Sequence, residues 1–221
     1  MSSALIEALS ASEPELLHRA RTVTLRAGER LCLTGDRDLG VYIVRSGVLK
    51  LMGNSASGRE SIICLAWPGE LVGEVAAFDG RPQPLDVVAA GRTELLALSS
   101  QSLLRVLLRS PQVAFAVGTL MARRNRWMCE ATVERSIRNA PARLAGRLLG
   151  LARQFDSEDG VPIHIGLPLA QGDIGKLAGL SRESACRALK SFREAGAVDF
   201  RRPQLKILDP EALELIRNTD M

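Results

Sequence analysis

"QGDIGKLAGLSRESACRALK", residues 171–190, is the stretch whose reading decides the fold. At 100° per residue, Ala185, Ala188, Leu189 and Phe192 share one face of a helix, and Arg182, Glu183, Cys186 and Arg187 share another. One face is for burial and the other for a partner. In the preceding helix Ile174, Leu177 and Ala178 face inward, and Gly175 is small enough to let the next helix cross close by. Gly179 takes the turn and Leu180 plugs the core between the two helices. Ser181 is a good N-cap, with Ser184 three residues on. Together these features predict a helix-turn-helix.

An ordinary αα-hairpin with a solvated charged face is the alternative. Such a helix favours acids in its first turn, yet Arg182 stands there against the helix dipole, which suits an end pointed into a major groove. Arginine takes guanine O6 and N7 bidentately and a carboxylate accepts from cytosine N4, so Arg182, Glu183 and Arg187 suit consecutive base pairs, with Ser181 and Cys186 beside them. The stretch "AVDFRRPQLKIL" reads as a two-stranded wing whose Arg201, Arg202 and Lys206 suit phosphate contacts, which position rather than specify.

Working outward, "RNAPARLAG" opens a new helix with Pro141 near its first turn, making Arg138 to Ala140 the expected hinge. That helix ends before the polar turn "DSEDG", and short strands with two more helices follow. Upstream, "SSQSLLRVLLRSPQVAFAVGTLMARRNRWMCEATVERSIR" has helical period and one break, at Pro111. Val117, Met121, Asn125 and Met128 lie along one stripe of the second helix. A helix this long outruns a small β domain, so the stripe is expected to pair with its copy in a parallel homodimer. Asn125 then fixes the register, as a polar residue in a coiled-coil seam does. Packing of the stripe on the chain's own β domain is the alternative.

Before Ser99 the texture is β: short strands punctuated by Ala27-Gly28, Gly35-Asp36 and Ser46-Gly47 favour a barrel or sandwich. Residues 5–20 read as one short amphipathic helix. The fold class is therefore α+β: a β barrel or sandwich over 1–110, a dimerisation helix over 111–138, and a winged helix-turn-helix over 139–221. A chain of 221 residues, 46% hydrophobic, suits two modest domains. No apolar run reaches membrane-span length, and Glu7, Glu13 and Glu15 interrupt the first seventeen residues, so a cytoplasmic protein without membrane attachment is expected. The net charge of +4 permits an anionic partner without demanding one. Cys32, Cys64, Cys129 and Cys186 are scattered, with no zinc or iron-sulfur spacing, and read as reduced thiols.

On these residues the chain resembles, over almost its full length, the cyclic AMP receptor protein/FNR superfamily of bacterial transcription regulators. The resemblance is carried by "GVYIVRSGVLKL", "PGELVGEVAAF", "RNAPARLAGRLL" and "LSRESACRALKSFREAGAV". It implies that the β domain over 1–110 is a β-roll sensor of the jelly-roll type, with base reading by Arg182, Glu183 and Arg187 on a palindromic site with TGTGA-like half-sites, and allosteric control. It also implies RNA polymerase as a further partner. Cyclic-nucleotide-binding relatives retain a Gly-Glu pair, here Gly73 and Glu74, followed by an arginine and a serine around the cyclic phosphate. The aligned positions here are Gln83 and Pro84, and an amide with an N–H-less ring cannot replace those groups around an anion. The threonine and serine that the relatives offer to the purine align with Met128 and Cys129.

Cyclic AMP is therefore disfavoured as the effector, with Arg81 as a conceivable substitute grip. Glu74 reads as a structural carboxylate or a retained ribose ligand. Trp67, Phe78, Trp127 and Met128 line either a pocket or a core. An N-terminal cysteine cluster for FNR-like sensing is lacking, His18 and His164 lie away from any haem pocket, and no metal-ligand cluster or catalytic set is found, so no cofactor, metal or enzymatic activity is expected. The remaining alternatives are a cyclic-nucleotide-responsive regulator, a ligand-independent regulator controlled by abundance or by Cys186 oxidation, and a nucleotide-binding module whose helix-turn-helix makes only protein contacts.

Overall fold

The computed structural model describes residues 4–37, 39–55, 58–155, 162–166, 169–201 and 204–219, with the side chains of 137, 171, 201 and 204 excepted. Two compact units are formed, one by Met1–Gly53 with Ile63–Arg126, the other by Asn54–Ile62 with Trp127–Met221.

The first unit opens with α1 (Ala4–Ser12) and α2 (Pro14–Arg19), not with the single helix the sequence suggested. Pro14 is the cause: the residue before a proline is pushed out of the helical region, and Glu13 sits at φ −145°, ψ 60°. The strands are β1 (Arg21–Leu25), β2 (Arg30–Cys32), β3 (Val41–Ser46), β4 (Leu49–Asn54), β5 (Glu60–Ala66) and β6 (Leu71–Val72). After α3 (Glu74–Asp79) come β7 (Asp86–Ala89) and β8 (Thr93–Leu98). They form two four-stranded sheets, ordered β1-β8-β3-β6 and β2-β7-β4-β5. Antiparallel registers place Ile43 opposite Leu96 and Leu51 opposite Val87. The turn between β6 and α3 requires glycine: Gly73 has φ +89°, and a Cβ there would stand 2.5 Å from the Gly40 carbonyl oxygen.

Two further helices follow, α4 (Ser100–Arg109) and α5 (Pro111–Ile137), bent by 117° at the break that Pro111 makes. The Ser99 hydroxyl caps α4 by accepting from the Ser102 amide at 3.1 Å. Leu5 and Leu9 of α1, Val41, Ile43, Leu71 and Leu98 of the sheet, Leu103 and Val106 of α4, and Val113, Ala116 and Val117 of α5 form one buried cluster. That cluster fixes the proximal part of α5 on the sheet, and Val117, only 2% exposed, is consumed by it.

The second unit takes the distal part of α5, then α6 (Ala140–Phe155), β9 (Ile163–Ile165), α7 (Gln171–Leu177), α8 (Arg182–Glu194), β10 (Val198–Arg201), β11 (Gln204–Ile207) and α9 (Pro210–Asn218). Helix α6 is the centre of this unit, with Leu144, Ala145, Leu148 and Leu151 all buried. Asn139 caps it, its Oδ1 accepting from the Ala142 amide at 2.9 Å. The wing is a three-stranded antiparallel sheet ordered β10-β11-β9, where a two-stranded one was expected. Ile163 and Ile165 are too short a run to read as a strand, yet they bury on the partner β11. Helix α9 is likewise a third helix after the "DSEDG" segment, which itself lies outside the described residues. No single helix among the described residues is long and apolar enough to cross a membrane.

Candidate nucleic-acid interface and effector site

Helices α7 and α8 meet as the periodicity predicts. Ile174, Leu177 and Ala178 are buried on α7, and Ala185, Ala188, Leu189 and Phe192 on α8. Leu180 is half-buried between them. A Cβ on Gly175 would come within 2.9 Å of the Ala185 methyl, so the crossing at this point depends on the missing side chain. Gly179 takes the turn at φ +65°. Ser181 Oγ accepts from the Ser184 amide at 3.1 Å and fixes the start of α8.

With one face of α8 buried, Arg182, Glu183 and Arg187 are left exposed and Cys186 half-exposed beside them. Arg187 donates weakly to Ser184 Oγ at 3.5 Å, and the side chains of Arg182 and Glu183 have no ion-pair partner among the described residues. Further along, Lys190 and Glu194 pair with each other at 3.8 Å. The first two turns of α8 thus present two exposed guanidinium groups and a carboxylate, with no ion-pair partner for Arg182 or Glu183 among the described residues, on a helix packed from behind. Of the wing cations, Lys206 is half-buried on β11, while the side chain of Arg201 and the whole of Arg202 lie outside the described residues.

The retained Gly-Glu pair leads to a second, different site. Glu74 is 3% exposed and ion-paired with Arg124 of α5. Arg124 also pairs with Glu70 at 3.3 Å and donates to the Leu71 carbonyl at 2.8 Å. Burial works against the guanidinium's charge, but Glu74, Cys64 and Glu70 outweigh it and hold its pKa above the ordinary arginine value. Burial raises the Glu70 carboxyl despite Arg124 and the Trp67 amide, which pull the other way. Sequence reasoning missed Arg124 altogether; its signal was a cation facing the roll, on a helix whose neighbouring turns are apolar.

Gln83 is buried, donating from Nε2 to the Leu85 carbonyl at 3.3 Å, and its Oε1 has no partner among the described residues. Pro84 and Arg81 are exposed. Trp127 stacks under the Arg147 guanidinium, 4.7 Å from the ring centroid, within the second unit. Met128 is half-buried and Cys129 exposed. Burial drives the Cys32 and Cys64 thiols up to about 12 and about 11, so both are protonated near neutrality.

The stripe expected to form the dimer seam needs one correction. Val117 points into its own unit's core, whereas Phe115, 78% exposed, lies open two residues earlier, with Met121 and Val133 further along. Both 115 and 117 are apolar, and periodicity alone did not say which of them the sheet would cover.

The cyclic nucleotide-binding domain family matches residues 22–110, and the Crp-like helix-turn-helix domain family matches residues 142–216. The chain belongs to the cyclic AMP receptor protein/FNR family of transcription regulators, with a helix-turn-helix DNA-binding domain. It is 34% identical to the cyclic AMP receptor protein of Thermus thermophilus, over 86% of this chain and 84% of that one. It is 27% identical to the CRP-like cAMP-activated global transcriptional regulator of Mycobacterium tuberculosis, over 81% of this chain and 79% of that one. Among solved structures, FixK2 from Bradyrhizobium japonicum superposes with a TM-score of 0.79 at 22% identity, covering 91% of this chain and 99% of that one.

Proposed function

We propose that the protein is a homodimeric regulator that reads a palindromic promoter site with α8 of each subunit and is not gated by cyclic AMP. The observation that carries the DNA reading is the cap-fixed α8, which keeps Arg182, Glu183 and Arg187 exposed, with no ion pair to Arg182 or Glu183 among the described residues. An arginine in a first helical turn opposes the dipole by about 0.3–1 kcal/mol, a cost that phosphate and base contacts offset. Ser181 and Cys186 border this surface, and Arg201 and Arg202 serve the phosphates. The dimer forms through the stripe of α5 beyond the buried Val117, with Met121, Asn125 and Met128 along the seam. The functional division is a sensor over 1–110, a dimerisation helix over 111–138 and a DNA-binding domain over 139–221, with the distal turns of the helix packed in the second compact unit. The chain acts on cytoplasmic DNA together with RNA polymerase and catalyses no reaction.

Against cyclic AMP stands the effector site itself. Gln83 and Pro84 supply no cation for a cyclic phosphate, and the Glu74 carboxylate already has the Arg124 guanidinium. The other reading, a cyclic-nucleotide-responsive regulator, is favoured by the retained Glu74 and by what the Thermus and Mycobacterium relatives are named for.

Fluorescence anisotropy of the reduced, ligand-free protein decides between them, on a palindromic TGTGA-type duplex and a scrambled one, with and without cyclic AMP. Selective binding without nucleotide is expected, with a steep fall as salt rises. Weak, unselective binding rescued by cyclic AMP would establish the other reading. Sedimentation of the free protein checks the dimer.

A further inference from the structure

The distal part of α5 makes a set of contacts that the reading of α8 as the DNA-contacting helix does not use. Trp127 and Glu134 are two turns apart on one face of α5, and both reach α6 at glycines. A Cβ on Gly150 would stand 2.6 Å from Cζ3 of Trp127, and one on Gly146 would collide with the Glu134 carboxylate. Gly146 and Gly150 are themselves one turn apart, so α6 offers two adjacent seats and α5 fills both.

The seated groups are then held by charge. Arg147 donates from Nε to Glu134 Oε2 at 3.0 Å and pairs again through its terminal nitrogen, while its guanidinium covers the Trp127 ring. Arg217 of α9 reaches the other carboxylate oxygen at 3.4 Å. Glu134 is 6% exposed and Arg147 4%, so a charge pair has been taken out of water where packed apolar residues of the same volume would serve stability equally well. What the pair adds is a single arrangement: a carboxylate must face a particular guanidinium at a particular turn, and a slip of one residue leaves a buried charge unmatched.

We infer that Trp127 and Glu134 are positioning residues for DNA recognition, latching the distal part of α5 to α6 and α9. Rearrangement of the DNA-binding unit therefore carries residues 127–137 with it, and the Arg138–Asn139 link does not act as the hinge. Helix α6 packs on both α7 and α8. The latch consequently passes the direction of α5 to the recognition helix. The inference rests on the reading of α8 given above.

The test uses the full-length protein carrying Trp67→Phe, which leaves Trp127 as its single tryptophan. Acrylamide quenching of Trp127 is measured in the free protein and in the complex with the selective duplex, and each variant's affinity for that duplex is measured in parallel. The latch predicts equal quenching in both states. Gly150→Ala and Glu134→Gln should raise quenching about twofold and weaken selective binding about tenfold, whereas Arg182→Ala should weaken binding and leave quenching alone. Glu134→Asp should recover part of both losses. Quenching that rises when DNA binds overturns the inference, as does a Gly150→Ala protein that exposes Trp127 yet binds DNA as before. Should Glu134→Gln fail to fold, the milder Gly150→Ala and the comparison of free and bound states still decide. Should no variant or parent bind any duplex selectively, the reading of α8 has failed instead, and that outcome is recognised from the parent protein alone.

Discussion

Valine in place of Gly175 would set a branched side chain where the Ala185 methyl already lies 2.9 Å from the first added atom. Carbon atoms pack best at about 3.5–4.0 Å, so α7 and α8 have to part by roughly 0.6–1 Å or distort. Overpacking of this kind costs about 1–3 kcal/mol. Valine is the better helix former by less than about 0.5 kcal/mol, so the clash wins and a net loss of about 2 kcal/mol is expected. In a chain of this size that lowers the melting temperature by roughly 4–8 °C. Gly175→Ala is the closer contest, because alanine regains about 1 kcal/mol of propensity against a smaller clash. Gly172 is the internal control. It lies on the same helix with nothing within 4 Å of where its Cβ would be, so Gly172→Ala should be neutral or stabilising. Thermal melting by circular dichroism reads stability, and anisotropy on the palindromic duplex reads displacement of α8. A Gly175→Val protein that melts with the parent and binds DNA equally well would refute the close crossing of the two helices.

Arg187→Ala should cost about 1–3 kcal/mol of discrimination between the intact and an altered half-site, checked by competition anisotropy; full selectivity in the variant would remove Arg187 from the base-reading set. Met121→Glu should shift the sedimentation equilibrium toward monomer, while Val117→Ala, which only hollows the core, should lower the melting temperature and keep the dimer. The Cys64 thiol gives a pH dependence of definite sign. An unfolded thiol ionises near pH 9 and the folded one near 11, so the native state holds more protons in that window and stability falls as pH rises through it, by about 3 kcal/mol. Chemical denaturation at pH 8 and 10.5 checks this, and Cys64→Ala should remove its share of the fall and leave that of Cys32, whose thiol is raised to about 12. In the same spirit, Ellman's reagent at pH 8 should leave Cys32 and Cys64 unmodified until the protein unfolds.

Much of the helix-turn-helix could be read without coordinates, because each of its requirements is local. Gly175, Gly179 and Ser181 answer to a crossing, a turn and a cap only a few residues away, and the buried face of α8 is fixed by its 3.6-residue period. Pro111 likewise ends α4 by sterics within one turn. Pro14 obeyed the same rule and was passed over. The effector site was legible in part: Glu74 was marked as structural or ribose-binding, but its counter-charge Arg124 stands fifty positions along the chain, and nothing in the local pattern pairs them.

By itself, then, the sequence determined which faces are apolar, where helices begin and break, and which side chains are left for a nucleic acid, since these follow from propensity, periodicity and capping over a few residues. Only the tertiary structure decided what each face meets. Val117 rather than Phe115 went under the sheet, Trp127 met Gly150 and Arg147, β9 was recruited into the wing, and Glu134 found Arg147 and Arg217. The physical reason is common to all four. Periodicity describes a direction around one element, whereas burial and charge pairing depend on a second surface brought up from a distant part of the chain.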